Sequence, residues 1–292
     1  MNREIKNTAY SKLCNLCPRQ CNIDRTVSKG YCKSSSDMKI CRIAPHFFEE
    51  PPISGTNGSG TIFFSGCSLD CEFCQNYSIS KHSVGKIYSP EMLAEKISEL
   101  ESNGVHNINF VTPTHFSDKI IETLKLYRPK IPVVYNTSGY ELPHVIEKLL
   151  PFINVFLFDM KYGNDAVAKK YSKCPDYTEY CKASLKLAIE NKPLLYDNNL
   201  LKQGVIVRHL VLPGELSNTF EVIDYFADNF LGSACLSVMS QFVPVYKSTI
   251  NRTLKPLEYK LVINKIIERN IEDCFIQELS SANKSYIPEF EI

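Results

Sequence analysis

The sequence predicts an α/β fold, namely an open, partial (β/α)6 TIM-like barrel preceded by a small cysteine-rich segment. From residue 61 onward, short apolar runs rich in β-branched and aromatic residues alternate with amphipathic stretches of helical period. Such alternation is typical of parallel strands connected by helices outside the sheet. We count roughly six such units, fewer than a closed barrel requires. We therefore expect two parts, the cysteine-rich segment over residues 1–57 and the partial barrel over residues 58–292.

The predicted strands and helices follow one another along the barrel. Ser89 and Pro90 mark the start of the first long helix, because Ser is favoured at the N-cap and Pro at the first helical position. Gly104 is placed to end this helix. We predict strands at residues 61–64, 107–111, 131–135, 155–158, 205–212 and 235–239, and a short closing strand at 274–277. We predict helices at residues 90–103, 118–127, 142–150, 177–190, 217–229 and 256–269.

Three cysteines follow the first predicted strand directly, with the spacing C-x3-C-x2-C. They are Cys67, Cys71 and Cys74, and Gly66 ends the strand before them. Thiolates are soft ligands, so three of them on one tight loop suit an iron–sulfur cluster or zinc. A cluster held by three protein ligands leaves one iron open to a reacting group. The alternative is a zinc loop whose fourth ligand comes from elsewhere, for example His82.

A second set of cysteines precedes the barrel, in a polar stretch that cannot bury much apolar surface. Such a segment needs a cross-link, such as a bound metal or cluster, to hold its shape. Cys14, Cys17, Cys21 and Cys32 offer four ligands, and we expect Gly30 to permit the turn that brings the last one round. Zinc with four thiolates and a second iron–sulfur cluster both suit this set. The alternative is that the four are free thiols.

Residues 46–60 are rich in turn formers, and we predict a linker into the barrel there. Its Gly55-x-x-Gly58-x-Gly60 pattern lacks the Lys of a phosphate-binding loop and precedes a strand instead of following one. Farther on, Cys174 and Cys181 have a spacing that would share a helix face. Pro175 between them argues against one continuous helix. The pattern assigns no role to these two cysteines or to Cys41.

The cysteine loop resembles that of the radical S-adenosylmethionine (SAM) superfamily, whose motif is C-x3-C-x-aromatic-C. Phe73 supplies the aromatic residue. The resemblance implies a partial barrel of the radical SAM type and a 4Fe-4S cluster on the three cysteines. It also implies that SAM binds the open iron and is cleaved reductively to a 5′-deoxyadenosyl radical, which abstracts hydrogen from a substrate. A low-potential electron donor of flavodoxin or ferredoxin type is the implied partner.

Polar residues at the carboxyl ends of the predicted strands would complete a SAM pocket, since ligands bind at that edge of parallel βα folds. Cations suit the amino acid end of SAM, amide and hydroxyl groups suit its ribose, and a methionine suits its adenine. Alternatively, Arg208 pairs with Asp159 structurally and His115 caps a helix. The predicted cofactor-binding residues are Phe73, Asn76, Thr112, Asn136, Ser138, Asp159, Lys161, Arg208, Met239 and Gln241.

Longer segments resemble the pyruvate formate-lyase activating enzyme-related group called the PflX type. Relative to true glycyl-radical activating enzymes, Thr112-Pro-Thr replaces a Gly-Gly-Glu-like stretch and Asn136 replaces an Asp. Asp159, Lys161 and Arg208 are kept, whereas the N-terminal cysteines are not part of the activator pattern. The matching segments are Cys14-x-x-Cys17-Pro-Arg-x-Cys21, Glu49-Glu-Pro-Pro52, 58–67, Cys74-Gln-Asn76, 109–115, 134–140, Gln277 and 287–290.

Three functions remain open at this point. The first is a [pyruvate formate-lyase]-activating-enzyme-like oxidoreductase that makes a glycyl radical on a partner protein. The second is a radical SAM enzyme that modifies another peptide, protein or small molecule, which the N-terminal cysteines favour slightly. The third is a zinc-binding module without catalysis.

The composition indicates which cellular compartment and which classes of binding partner to expect. The formal net charge is +1 and no long basic block occurs, so nothing favours nucleic-acid binding. No apolar run is long enough for a membrane span, and the polar N-terminus does not resemble a signal peptide. We therefore expect a cytoplasmic protein. In a reducing compartment, its 12 cysteines suit metal or cluster binding better than disulfides.

Overall fold

The computed structural model describes residues 13–282 and residue 290 of the chain. The strands are β1 (Met38–His46), β2 (Ser59–Phe64), β3 (Lys86–Tyr88), β4 (Ile108–Val111), β5 (Val133–Thr137), β6 (Val155–Asp159), β7 (Leu195–Asp197), β8 (Leu200–Leu210), β9 (Cys235–Met239) and β10 (Cys274–Ile276). The helices are α1 (Pro51–Ser54), α2 (Tyr77–Ser80), α3 (Pro90–Ser102), α4 (Ser117–Leu126), α5 (Pro143–Leu149), α6 (Asp165–Ser172), α7 (Tyr177–Asn191), α8 (Leu216–Phe230) and α9 (Pro256–Glu268).

One sheet organises the described part of the chain, in the order β3-β1-β2-β4-β5-β6-β8-β9-β10, with β7 beside β8. The strands from β2 to β10 along this order are all parallel, whereas β1 pairs antiparallel with β2 and β3. The two ends of the sheet, β3 and β10, are not neighbours in this order, so the barrel is open. The predicted fold class is therefore confirmed.

The predicted barrel strands and the helices between them are all present, within a few residues of their expected ends. Ser89 caps α3 as expected, since its side chain accepts a hydrogen bond from the Met92 N–H at 3.3 Å. The segment around Pro175 separates α6 from α7, so Cys174 and Cys181 do not share one helix, as predicted. Along the described residues, no helix has the length and apolar character needed to cross a lipid bilayer.

Two elements near the N-terminus were not predicted. β1 runs through a stretch to which the sequence pattern gave no strand period, because a register shift between Ile40 and Arg42 interrupts its alternation. The predicted linker at residues 46–60 contains the short helix α1. The cysteine-rich N-terminal part thus contributes a strand that pairs with the first barrel strand.

The two faces of the parallel strands have different roles, because side chains alternate between them. Tyr135 and Phe156 are fully buried in the main core, to which the outer helices contribute. The inward-facing residues nearer the strand starts form a second apolar cluster, in which Ile53 of α1 is completely buried. Its members are Ile53, Val134, Val155, Leu157, Leu201, Ile206 and Cys235. Asn136, Asp159 and Arg208 each follow a member of this cluster by two residues and so lie on the same face of their strands. They form a polar layer above the apolar cluster, and α1 closes the barrel below it.

Candidate functional site

A cavity of about 650 Å³ lies at the carboxyl ends of the parallel strands. Its volume is in the range of pockets that hold small molecules. All the residues that the sequence assigned to the cysteine loop and the SAM pocket line this one cavity. They are Cys67, Cys71, Phe73, Cys74, Asn76, Thr112, Asn136, Ser138, Asp159, Lys161, Arg208, Met239 and Gln241.

The loop that carries the three thiols, residues 67–74, starts directly beyond the end of β2. Gly66 has a φ of +87°, and a Cβ there would lie 2.4 Å from both the Cys32 carbonyl oxygen and the Ser34 Oγ. Glycine is therefore required here on both conformational and steric grounds. The Cys67 N–H donates a hydrogen bond to the same Cys32 carbonyl at 3.2 Å. The thiol loop is thus held directly against the N-terminal segment.

Burial and neighbouring hydroxyl groups define the environment of the three thiols in this loop. Burial, followed by the charges of Cys71 and Cys74, raises the pKa of Cys67 to about 12. The Ser172 hydroxyl lies 2.8 Å from the Cys71 Sγ, and the Ser80 hydroxyl lies 3.2 Å from the Cys74 Sγ. Thiols of this kind give up their protons when a metal binds, because the metal charge replaces the proton.

The donor set fits an iron–sulfur cluster, because its three ligands are soft sulfurs facing a cavity. The two carboxylates of the loop are engaged elsewhere: Asp70 pairs with Lys81 at 2.7 Å, and Glu72 accepts from the Thr249 N–H at 2.8 Å. Across residues 13–282, no group of three or more His, Cys, Asp or Glu side chains is placed to hold a metal ion. The fit to a cluster therefore rests on the chemistry of the three sulfurs and on their place in the cavity wall.

A buried ion-pair network lies at the strand ends beside the thiols. The Arg208 Nε donates to an Asp159 oxygen at 2.9 Å, its Nη2 to the Asn136 Oδ1 at 2.5 Å, and its Nη1 to Glu49 at 3.1 Å. The Lys161 Nζ donates to the other Asp159 oxygen at 2.5 Å. Burial alone would raise the pKa of Asp159, but Arg208 and then Lys161 outweigh it and lower that pKa. The alternative that Arg208 pairs with Asp159 is therefore confirmed.

Glu49 belongs to this network, although the sequence pattern placed it in a linker. Its carboxylate accepts hydrogen bonds from the Asn109 and Asn136 side chains at 3.0 and 3.2 Å, in addition to the Arg208 contact. Glu50 beside it also lines the cavity. The available signal was the Glu49-Glu-Pro-Pro52 segment of the family resemblance, because two adjacent acids before two prolines are unusual in a plain turn.

Two residues at the strand ends have features that favour ligand binding. The Ser138 Oγ is buried and has no hydrogen-bond partner among the residues described. Buried hydroxyls are normally satisfied, so this one is suited to a ligand. Thr112 has a φ of +58°, a strained conformation for a β-branched residue. Strain of this kind concentrates at functional sites, which agrees with the place of Thr112 in the cavity wall.

The remaining predicted residues form the rim of the cavity. Phe73 is buried, and Asn76 is the N-cap residue of α2. The Gln241 Nε2 lies 3.8 Å from the Met239 sulfur, and the Gln277 side chain donates to the Gln241 Oε1 at 3.1 Å. Gln277, just beyond β10, is a lining residue that the sequence indicated only through the family resemblance.

The four N-terminal cysteines lie outside this cavity, and two of them flank Gly30. A Cβ on Gly30 would lie 3.3 Å from the Cys32 Sγ and 3.7 Å from the Cys21 Sγ. The pKa of Cys17 is raised by burial first, and the charges of Cys32 and Cys14 add to the increase. Gly30 does not have the positive φ that its predicted turn would need, so its role is to leave room between two thiols.

The two histidines considered at the sequence level do not line the cavity. His115 is buried, and its Nε2 lies 2.7 Å from the Ser65 carbonyl oxygen. Burial, followed by the charge of Arg25, lowers the pKa of His115 to about 3, so the ring is neutral and structural. His82 is exposed.

A model of the radical SAM superfamily matches residues 61–226, more than half of the chain. The chain therefore belongs to the radical SAM superfamily, and it is a radical SAM enzyme. Members of this superfamily bind a 4Fe-4S cluster and SAM. The residues described above fit both groups, through three soft thiols and an unpartnered buried hydroxyl that line the same cavity.

The chain is also similar to several known proteins. Uncharacterized protein MJ0674 of Methanocaldococcus jannaschii is 30% identical over 274 residues, which cover 89% of this chain and 76% of that protein. The structure of Streptococcus suis SuiB bound to S-adenosylmethionine has a TM-score of 0.50 at 14% identity, over 74% of this chain and 49% of SuiB. Methylornithine synthase (PylB) has a TM-score of 0.51 at 12% identity, over 80% of this chain and 74% of PylB. The chain spans about half the length of SuiB, and at these identities the two structures show a shared fold.

Proposed function

We propose that Cys67, Cys71 and Cys74 hold the 4Fe-4S cluster and that the adjoining cavity binds SAM and the substrate. The observation that carries this proposal is the convergence of all the predicted residues on one cavity. Bound together, the cluster and SAM supply a 5′-deoxyadenosyl radical that removes a hydrogen atom from the substrate. The protein's own part is to bind, to orient and to exclude water.

Different residues of the cavity bind the ligand, fix the cavity wall and exclude water. Ser138 offers a hydrogen bond to a hydroxyl or carboxylate of SAM, because its Oγ has no partner among the residues described. Arg208 and Lys161 keep Asp159 charged and fixed in position, so the cavity wall does not rearrange when a ligand enters. Phe73 and Met239 contribute apolar surface that keeps solvent away from a reactive radical.

We infer that the substrate is a peptide, a protein or a small molecule other than a glycyl-radical enzyme. Thr112 and Asn136 line the cavity, and both depart from the activating-enzyme pattern at positions beside the thiol loop. SuiB, which shares the fold, has also been crystallised with its precursor peptide SuiA. The second candidate is a PflX-type activase, which the retained Asp159, Lys161 and Arg208 favour.

We also propose that Cys14, Cys17, Cys21 and Cys32 form a second site, for zinc or an auxiliary cluster, in a small unit that docks on the barrel. The Cys21 and Cys32 thiols flank Gly30, and metal binding would draw the four thiols closer than they now lie. A flavodoxin- or ferredoxin-type protein is the proposed electron donor, because reductive cleavage of SAM needs a low potential.

Anaerobic reconstitution tests the cluster assignment. We expect the wild type to bind iron and sulfide and to form 5′-deoxyadenosine from SAM with a strong reductant, whereas Cys71→Ala forms none. Cys235→Ala is the matched control, because it removes a buried thiol outside the thiol loop. Absence of 4Fe-4S absorbance and of SAM cleavage in the wild type would contradict the proposal.

Electron paramagnetic resonance distinguishes the two candidate functions. A glycyl-radical doublet on a partner protein would favour the activase over an enzyme that modifies another substrate.

A further inference from the structure

The floor of the cavity has more carboxyl groups than cationic side chains. Three carboxylates line it, from Glu49, Glu50 and Asp159, against the two cations Lys161 and Arg208. Lys161 pairs with Asp159, and the guanidinium of Arg208 donates to Asp159, Glu49 and an amide. Glu50 takes part in neither set of ion pairs. One buried carboxylate of the floor therefore has no direct cationic contact among the described residues.

The Glu50 side chain is held in a position that suits an incoming ligand. The residue is 8% exposed, and its Oε2 is buried without a hydrogen-bond partner in the described part of the chain. Burial raises the pKa of Glu50, with Arg208 opposing this effect and Glu49 adding to it. The Ser237 side chain hydrogen-bonds to the Glu50 carboxyl, but a buried carboxyl oxygen without a partner is costly, so native proteins normally satisfy it. A cation from a ligand would do so here.

The backbone around Glu50 is fixed before any ligand arrives. Its carbonyl accepts hydrogen bonds from the N–H groups of Ile53 and Ser54, at 2.8 and 3.0 Å, and Glu50 is the N-cap residue of α1. Ile53 anchors that helix in the inner apolar cluster. The Ser54 hydroxyl donates to the Glu49 carbonyl at 3.2 Å. The backbone that carries the carboxyl group is thus fixed, and a ligand bears none of the cost of ordering this backbone.

The cavity opens between apolar side chains. Phe47, Phe48 and Ile276 all line it and are 55%, 58% and 44% exposed. A ligand that passes them to reach Glu50 would place an apolar chain against these side chains and a charged end on the floor. The faces of the two phenylalanines also attract cations.

We propose that Glu50 binds the organic cation of the substrate, an ammonium or guanidinium group at the end of an apolar chain. A free alkylamine and the side chain of Lys or Arg in a peptide share this chemistry. The inference deepens the proposed function and rests on it, because the cation would hold the substrate in the cavity that also contains the three thiols. Glu50 is a binding residue in this proposal and takes no part in the reaction itself.

Binding of simple probes to the full-length, reconstituted protein with SAM present tests the proposal. The probes are pentylammonium, pentan-1-ol, pentanoate and N-acetyl-lysine methylamide, followed by titration calorimetry. In the wild type we expect pentylammonium to bind more tightly than the alcohol and pentanoate to bind least. Glu50→Gln should weaken pentylammonium by at least about tenfold and leave the alcohol unchanged. Binding of the lysine derivative comparable to that of pentylammonium would indicate a peptide source; much weaker binding would indicate a free amine.

Control measurements distinguish a specific contact with Glu50 from a general effect of negative charge. Glu95→Gln, on the exposed face of α3, should leave all probe affinities unchanged. The proposal is overturned if Glu50→Gln binds pentylammonium as the wild type does, if potassium ions displace the probe at equal concentration, or if Glu50→Gln loses SAM affinity instead. Should Glu50→Gln not fold, the ranking of probes in the wild type decides alone. Because none of these readouts needs SAM cleavage, failure of the proposed reaction and failure of this inference are distinguishable.

Discussion

At the scale of the residue, Arg208 links three strands and the segment before α1 through one guanidinium. Replacing it with Met would leave the Glu49 carboxylate buried without its cation. We expect Arg208→Met to lower the free energy of unfolding by about 3–5 kcal/mol, which is typical when one partner of a buried pair is removed. Urea denaturation followed by circular dichroism measures this change.

The control for that experiment is Arg252→Met, because Arg252 pairs with Glu258 but its side chain is 37% exposed. Exposed pairs contribute roughly 0–1 kcal/mol, so the control should lose little stability. Adding Glu49→Gln to Arg208→Met should restore part of the loss, since the unpaired charge is then gone. Equal losses in Arg208→Met and Arg252→Met would contradict a stabilising role for the buried network.

A second residue, Glu141, predicts how stability depends on pH. Its carboxyl is buried between the hydroxyls of Thr114 and Thr137, at 2.6 and 2.5 Å, and burial raises its pKa to about 7. A carboxyl with a raised folded-state pKa stabilises the fold below its unfolded pKa. That contribution is lost as pH rises through about 7.

We therefore expect the wild type to lose about 2–3 kcal/mol of stability between pH 5 and pH 8 through Glu141. Glu141→Gln should lack this part of the pH dependence, and Glu95→Gln should retain it. Urea titrations at the two pH values measure the difference. Parallel pH profiles for the wild type and Glu141→Gln would show that Glu141 does not titrate in this range.

The residues that could be predicted from the sequence are those whose chemistry is local. The three thiols and the polar residues after each strand belong to this group, because motif and strand order place them at one edge. Glu49 could not be predicted, since its role comes from a contact with Arg208 across 159 residues of chain. Periodicity and local motifs describe neighbouring residues and do not report a contact between distant ones.

At the scale of the element, α1 is the unpredicted piece that shapes the cavity. Ile53 is completely buried among inward-facing side chains of the barrel. We expect Ile53→Ala to cost about 2–5 kcal/mol of stability, the usual range for a large-to-small change in a core. Chemical denaturation measures it, with Ile267→Ala as the control because Ile267 is 67% exposed. A loss in the Ile53 variant no larger than in the control would mean that α1 does not anchor the floor.

The long helix α3 was predictable from its sequence, whereas α1 and β1 were not. α3 carries a cap residue, a proline and a regular apolar stripe, and these signals reinforce one another. α1 has only four residues, too few for a helical period to show. β1 has nine residues, but the register shift after Ile40 removes the simple alternation that would have identified it.

At the scale of the whole molecule, the two groups of cysteines predict two separable effects. Cys71→Ala removes a ligand of the proposed cluster, whereas Cys17→Ala removes a buried thiol of the N-terminal set. We expect Cys17→Ala to retain SAM cleavage at a reduced level and to lower the melting temperature. Thermal melts and 5′-deoxyadenosine assays on both variants measure this. If Cys17→Ala abolishes cleavage and Cys71→Ala does not, the two groups have been assigned in reverse.

The contact between Cys32 and the thiol loop also bears on how the molecule is assembled. The Cys32 carbonyl accepts from the Cys67 N–H, and the Arg19 Nε donates to the Ser68 carbonyl at 3.0 Å. Gly66 also packs against Ser34, so the thiol loop lies against residues of the N-terminal segment. A fragment beginning at residue 58 would retain Cys67, Cys71 and Cys74 and lose the contacts that shape their loop. We therefore expect the N-terminal segment to support the shape of the thiol loop that would hold the cluster.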